Sequence, residues 1–341
     1  MIYRSKAPLR IGLAGGGTDV SPYSDLYGGA ILNASISLSA YASIEPLQEN
    51  AIILQALDLK EEQRFPWSHQ LPINGSLDLL KGVYNRIHSD YGVPLTGFRL
   101  ATFSDVPTGS GLGTSSTLVV AIIGAFVQML NLPLGDYDIA HYAYQIERED
   151  LQLAGGRQDQ YAATFGGVNY MEFYGGDKVI VNPLRIRPEY LHELENNLLL
   201  YFTDTSRESA NIITEQVANV QNNNQKSIEA MHQLKEQAKL MKEALLKGRL
   251  HEIGEILDFG FTQKKQMANS ISNSHIEAIY AAAKQAGATG GKISGAGGGG
   301  FITFYCPDNK RHAVAEALLR FGGEIRQYSF AQNGLTTWVA P

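Results

Sequence analysis

The segment Pro107-Thr-Gly-Ser-Gly-Leu-Gly-Thr-Ser-Ser-Thr117 sets glycines at positions 109, 111 and 113, follows them with hydroxyl side chains, and runs into the apolar stretch LVVAIIGAFVQML. Glycine lets a backbone approach a ligand closely, and a helix N-terminus presents unpaired N–H groups at a positive dipole end. The pattern therefore suits a phosphate group. Thr114, Ser115 and Ser116 are placed to cap the helix and donate hydroxyls, and the apolar run anchors it. A tight glycine turn between strand and helix is the plainer alternative. A Walker loop is excluded, because G-x-x-x-x-G-K-[ST] needs a lysine and none follows these glycines.

Two other glycine segments carry candidate chemistry. APLRIGLAGGGTDV puts Arg10 on an expected strand and ends a triple-glycine turn, including Gly16 and Gly17, with Thr18 and Asp19. A carboxylate there suits a sugar, since it accepts hydrogen bonds from hydroxyl pairs; a capping aspartate in a turn is the alternative. GGKISGAGGGGFITFY contains a formal G-x-G-x-x-G at Gly295, Gly297 and Gly300. It fails as a dinucleotide fingerprint, because FITFY reads as a strand where that motif opens a helix, and a nicotinamide oxidoreductase is set aside with it. Its glycines still imply close approach to a ligand or to another loop. Two further carboxylates stand out. Glu147 lies late in the helical DYDIAHYAYQIERED, where a solvated residue is the ordinary reading, and Asp159 lies in AGGRQDQYAATFGG, an expected glycine-flanked loop. A carboxylate in that setting calls for a partner, since an unpaired buried charge is costly.

The elements that must hold these residues divide near 180–195. Residues 1–185 are expected to form one domain of mixed α/β character, with strands in IGLAG, AILNASISLSAYASIEPL, AIILQALDL, GFRLATFSDV and GGVNYMEFY. Helices are expected in SLDLLKGVYNRIHSDYG, with Leu79, Leu80, Val83 and Ile87 on one face, and in LGDYDIAHYAYQIEREDLQ, with Asp136 as its cap. Residues 186–341 are expected to form a second, helix-rich domain. There LENNLLLYFTDTS reads as a strand, 206–285 as mostly helix with EAMHQLKEQAKLMKEALLKGRL clearly amphipathic, and EIRQYSF as a closing strand. The fold class is α+β.

Composition narrows the partners. A net charge of −6, with no Lys/Arg-rich run, argues against a nucleic-acid surface and for a small molecule. A single cysteine, Cys306, excludes an intrachain disulfide and a cysteine zinc cluster and reads as a small buried apolar residue. No signal peptide or run of ~18 apolar residues is present, so a cytoplasmic protein without a membrane partner is expected. A homodimer stays open.

In order and spacing, the three glycine segments resemble the three motifs of the galactokinase, homoserine kinase, mevalonate kinase and phosphomevalonate kinase superfamily, the GHMP kinases. PTGSGLGTSST is similar to the family pattern P-x-G-x-G-L-G-S-S-A, with Thr114 for the first serine and Ser116 for the alanine. APLR resembles A-P-G-R/K with Leu9 for its glycine, and KISGAGGGG resembles the third motif. Within the superfamily the chain is most similar to sugar kinases with AGGGTD or AGGWTD, a group that includes fucose kinases and heptose 7-phosphate kinases. GGGTDVSPYSDLYGGAILNASIS, GGRQDQYAATFGG and DTSRESANII are closest to the heptose kinases.

The resemblance implies a two-lobed fold, an N-terminal mixed lobe and a C-terminal helix-rich lobe with an antiparallel sheet, with the site in the cleft between them. It implies that Pro107, Gly109, Ser110, Gly111, Leu112, Gly113, Thr114 and Ser115 surround the phosphates of ATP. Ser115 and Glu147 would hold Mg²⁺. Asp159 would face the acceptor hydroxyl, as base or as positioner, with Arg10 beside it. Gly16, Gly17, Thr18, Asp19 and Gln158 would line the sugar site; Gly16 and Gly17 stand where galactokinases carry Glu and His, which leaves more room. A substrate that already bears a phosphate needs a second basic cluster, for which Arg157 and Arg207 are the candidates. The implied reaction is ATP-dependent phosphorylation of the anomeric hydroxyl of D-glycero-D-manno-heptose 7-phosphate, for nucleotide-activated heptose and surface polysaccharide. The alternatives are L-fucokinase or another free-sugar kinase, and a catalytically silent regulator that binds sugar and ATP.

Overall fold

Strands β1 (Ile2–Ala14) and β2 (Gly29–Pro46) run antiparallel along almost their whole length and form the spine of a computed structural model that describes residues 1–93, 97–203 and 209–341. β3 (Ala51–Ala56), β4 (Glu61–Pro66), β5 (Phe98–Ser104), β6 (Val168–Phe173) and β7 (Val179–Pro183) extend the same sheet. β2 is long enough to pair with β5 through Ala40–Pro46 and with β6 through Gly29–Ala34. All contacts in this sheet are antiparallel except β3 with β5, which is parallel. A second sheet has β8 (Leu198–Phe202), β9 (Gly290–Ile293), β10 (Phe301–Tyr305) and β11 (Glu324–Arg326) in the order β11-β8-β10-β9. β12 (Thr336–Ala340) then returns to the first sheet and pairs with β1.

The apolar pattern explains which faces these elements bury. Helix Thr114–Leu130 is apolar nearly all round, and its Val119 to Phe126 pack with Val83 and Ile87 of helix Asp78–Tyr91 and with β2, β3 and β5. Leu9, Ile11 and Leu13 of β1 instead share a cluster with Leu198, Leu200, Met241 and Phe301 of the second half. The register between β1 and β2 shifts between Pro8 and Arg10. Because side chains alternate in a strand, such an irregularity changes which residues face which side: Ala7 packs toward helix Thr114–Leu130, whereas Leu9 and Ile11 pack toward the other lobe. Arg10 sits immediately after the shift.

Several expectations need correction. LENNLLLYFTDTS is not strand throughout: helix Pro188–Asn197 occupies its start and β8 follows. In EIRQYSF only Glu324–Arg326 is strand, and the strand that closes the chain is β12. Asp136 is the first helical residue and not a cap; Gly135 precedes it, and the Gly135 N–H donates to Asp138 Oδ2 at 2.9 Å. An aspartate in the first turn thus does the capping from inside the helix. No helix among the described residues is long and apolar enough to cross a membrane.

Phe126 is fully buried, with its ring edge-on to Phe98 at 5.7 Å between centroids. Phe126→Ala should destabilise the protein by ~3–5 kcal/mol through lost burial and the cavity left behind. The midpoint of urea unfolding checks this.

Candidate active site

Three positive-φ glycines, Gly109 at 81°, Gly111 at 86° and Gly113 at 81°, carry the chain from β5 into helix Thr114–Leu130. Only glycine takes these conformations without strain. Gly113 occupies the N-cap position and offers no side chain, so the helix starts without side-chain capping. The expected cap from Thr114 is not formed, since Thr114 lies inside the first turn and its hydroxyl shares a 3.0 Å hydrogen bond with that of Ser110. The N–H groups of that turn are thus left for an anion. Leu112 is fully buried and anchors the loop, and the Pro107 carbonyl accepts from the Ser110 N–H at 3.3 Å. The Ser115 side chain lines the cleft.

The third glycine segment backs this loop. Phe301 N–H donates to the Ser110 carbonyl at 2.9 Å, and a Cβ on Gly295 would come within 2.8 Å of Gly111 Cα. Of the two sequence readings of GAGGGG, close approach to a loop is therefore realised.

Arg10 reaches from β1 under the loop. Its Nε and Nη2 lie 2.7 and 2.6 Å from Asp159 Oδ1, and its Nη1 donates to the Gly111 carbonyl at 2.8 Å. Arg10 is 3 % exposed and Asp159 23 % exposed, so the pair sits at the floor of the cleft with the carboxylate reachable. Asp159 is not in a loop as expected; it lies in the first turn of helix Gln158–Phe165, where a carboxylate is favoured by the helix dipole. The glycines flanking it mark the two ends of a short helix.

Asp19 holds the start of that same helix. Its Oδ2 accepts from the N–H groups of Arg157 and Gln158 at 2.8 and 3.0 Å. Burial pushes its carboxyl above the usual range, opposed by the Gln158 N–H and aided by the neighbouring Asp159 charge. Thr18 is fully buried and serves the turn: its hydroxyl donates to the Gly15 carbonyl at 2.8 Å and accepts from Ala30 N–H at 3.1 Å. Gly17 lines the cleft with Asp19, Gln158 and Asp159.

Glu147 lies in a single π-turn, Ile146–Asp150, a geometry frequent at functional sites. Its carboxylate is buried, accepts from Gln160 Nε2, and lies 3.8 Å from Arg148 Nη1. Gln160 Nε2 is also 3.2 Å from the Ser116 hydroxyl. Burial raises the Glu147 pKa, opposed first by Arg148 and then by hydrogen bonds from Ser116 and Gln160. Ser116, which replaces an alanine of the motif, therefore supports the carboxylate, a role the sequence did not suggest.

Not every expected residue converges here. The Arg157 guanidinium turns away from the cleft: Nη1 donates to the Tyr174 carbonyl at 2.8 Å, and Nη2 lies 2.9 Å from Asp25 and 3.3 Å from Asp177. Only its backbone N–H serves the site. Arg207 lies outside the described residues. Sequence reasoning missed Lys264 and Lys292. Both are buried, near Gly16, and burial together with nearby cations lowers their pKa values, that of Lys264 to about 8. Lys292 opens the third glycine motif, KISGAGGGG, and its place beside a glycine run was the available signal.

The family model for the GHMP kinases N terminal domain matches residues 78–167, and that for GHMP kinases C terminal matches residues 241–324. The chain is 45 % identical, over 98 % of both chains, to D-glycero-alpha-D-manno-heptose 7-phosphate kinase of Campylobacter jejuni. It is 28 % identical to the bifunctional fucokinase/GDP-fucose pyrophosphorylase of Arabidopsis thaliana, over 89 % of this chain and 30 % of that protein. The crystal structure of a D-glycero-D-manno-heptose 1-phosphate kinase from Bacteriodes thetaiotaomicron superposes with a TM-score of 0.85, at 45 % identity and covering 99 % of each chain. With both family domains in place and a relative this similar along its whole length, the chain belongs to the GHMP kinases and is a phosphotransferase.

Proposed function

We propose that the protein transfers the γ-phosphoryl group of ATP to the anomeric hydroxyl of D-glycero-D-manno-heptose 7-phosphate, giving the 1,7-bisphosphate and ADP. The observation that carries the chemistry is Asp159 held by Arg10 beside an uncapped helix N-terminus. The 45 % identity to a heptose 7-phosphate kinase supports the choice of sugar, against the more distant fucokinase. The division into residues 1–185 and 186–341 belongs to the same reading, with β12 an excursion of the second part onto the first sheet. So does a cytoplasmic location.

Phosphoryl transfer has a loose transition state, so catalysis rests on alignment and on neutralising the equatorial oxygens. The N–H groups at the start of helix Thr114–Leu130, which carries no side-chain cap, would serve that task. Asp159 Oδ1 takes both contacts from Arg10, which leaves Oδ2 for the substrate hydroxyl. The carboxylate orients that hydroxyl and can take its proton as the bond to phosphorus forms. Asp19, fixed to the same helix, is oriented for the sugar.

Glu147 and Ser115 are the residues that would hold Mg²⁺. No group of three or more His, Cys, Asp and Glu placed to hold a metal ion occurs among the described residues. One buried carboxylate with one hydroxyl fits a cation that takes its remaining ligands from phosphates and water. When bound, Mg²⁺ supplies charge neutralisation at the phosphate oxygens.

Asp159→Asn should retain ATP binding by calorimetry but lose ~10²–10⁴ in kcat; activity within tenfold of wild type would sink this assignment. Glu147→Gln should raise the Mg²⁺ concentration for half-maximal rate ~10-fold or more, checked by Mg²⁺ titration at fixed ATP. Coupled ADP release on a sugar panel should show kcat/KM for heptose 7-phosphate ~10²-fold or more above that for L-fucose or the unphosphorylated heptose. Comparable turnover of L-fucose would favour the fucokinase reading, and no ADP release with any sugar would favour a silent regulator.

A further inference from the structure

An acceptor that arrives already phosphorylated needs a cationic seat apart from the glycine loop. Arg157 does not provide it, since its guanidinium is committed to Asp25, Asp177 and the Tyr174 carbonyl. Two other cations meet at the turn after β1. Lys264 ends helix Ile253–Lys264, and Lys292 lies on β9. A Cβ placed on Gly16 would lie 3.6 Å from Lys292 Nζ and 3.9 Å from Lys264 Nζ, and one placed on Gly12 would lie 3.3 Å from Lys292 Nζ. The space that glycine leaves at Gly12 and Gly16 is therefore bordered by ammonium groups.

Neither ammonium has an ion-pair partner among the described residues, although the Asp19 charge acts favourably on Lys264. The Lys264 ammonium donates to the Gly295 carbonyl and forms no ion pair among the described residues. Lys292, 6 % exposed, makes neither hydrogen bond nor ion pair there with its ammonium. The nearby carboxylates each have one oxygen committed elsewhere, Asp159 Oδ1 to Arg10 and Asp19 Oδ2 to two backbone N–H groups. Two adjacent buried cations without an ion pair are costly; burial first, and then their mutual repulsion and that of Arg10, lower both pKa values. Lys264 lines the same cleft as Arg10, Asp19 and Asp159. The side chain of Gln158 adds a buried acceptor, Oε1, without a hydrogen-bond partner and 4.0 Å from the same Gly12 position. Two cations and a vacant acceptor together match an anion that also carries hydroxyls.

We propose that Lys264 and Lys292 seat the phosphate group that the acceptor sugar already carries, on the Gly12–Gly16 side of the cleft, while the glycine loop holds the phosphates of ATP. This rests on the substrate reading above. A dianion there completes charge-assisted hydrogen bonds that the free protein lacks, and a sugar without the phosphate leaves the cations unpaired. Specificity for a phosphorylated acceptor follows from the cost of that vacancy.

The test is steady-state kinetics of Lys264→Met and Lys292→Met with heptose 7-phosphate and ATP, alongside thermal melting without ligands. Each variant should raise KM for the sugar phosphate ~10–100-fold while KM for ATP stays within ~3-fold. Each should also melt at an equal or higher temperature at pH 7, because an unpaired buried cation has been removed. Lys264→Arg, which keeps a cation, should recover most of the sugar-phosphate affinity, and Lys264→Gln and Lys292→Gln serve if the methionine variants fail to fold. A rise in KM for ATP equal to that for the sugar, or no rise in either, overturns the proposal. If the wild type prefers heptose 7-phosphate and the variants keep its KM, the lysine assignment alone fails. If the wild type turns over only unphosphorylated sugars, the substrate reading fails with it.

Discussion

The arginine of the first strand cannot be left alone. Arg10 is buried, and a buried guanidinium must find acceptors for its planar fork of donors or destabilise the fold. It finds them in the Asp159 carboxylate and the Gly111 carbonyl, and through these contacts β1, the glycine loop and helix Gln158–Phe165 become one assembly. Asp19 reinforces it from the other end of the turn by holding the first N–H groups of the same helix. Removing either charged partner of such a pair costs more than the pair contributes, so the geometry is over-determined before any ligand arrives. Preorganisation of this kind is what a reaction governed by alignment requires.

What the sequence made legible was mostly what glycine reports. Positive φ and close approach constrain backbone locally, so the loop at Gly109–Gly113 and the segment backing it could be located without any knowledge of the fold. Arg10 on a strand and Glu147 late in a helical run were placed correctly, although the π-turn around Glu147 has no marker in IERED. Asp159 was misplaced because flanking glycines look like a loop when they in fact end a helix of eight residues. Arg157 misled for a related reason: adjacency in sequence says little about direction at a helix start, where successive side chains diverge by about a quarter turn or more. Lys264 was invisible because QKKQ on an amphipathic helix reads as solvent-facing. Its neighbour Lys265 does face outward, 3.0 Å from Glu277, and only the tertiary fold separates the two.

The site is accordingly built from groups that are poor choices for stability. Glycines at positive φ enlarge the entropy lost on folding, a helix start is left without a side-chain cap, and carboxylates and ammonium groups are buried with their pKa values displaced. Each of these supplies an unfilled hydrogen-bonding or charge requirement at a place where a phosphate, a cation or a hydroxyl belongs. Apolar clusters around Phe126 and around Leu9 and Leu200 supply the compensating stability.

The cluster that joins Leu9, Ile11 and Leu13 to Leu198, Met241 and Phe301 has a mechanical consequence. It is one continuous core shared by the two lobes, and the chain crosses between them a second time when β12 returns to β1. A wide hinge opening would tear this core and expose its apolar surface to water, a cost that rises with every square ångström uncovered. The lobes are therefore welded rather than jawed. At the rim of the cleft the 152–156 turn is held to the same scaffold by Arg148, which donates to the carbonyls of Leu153 and Gly156.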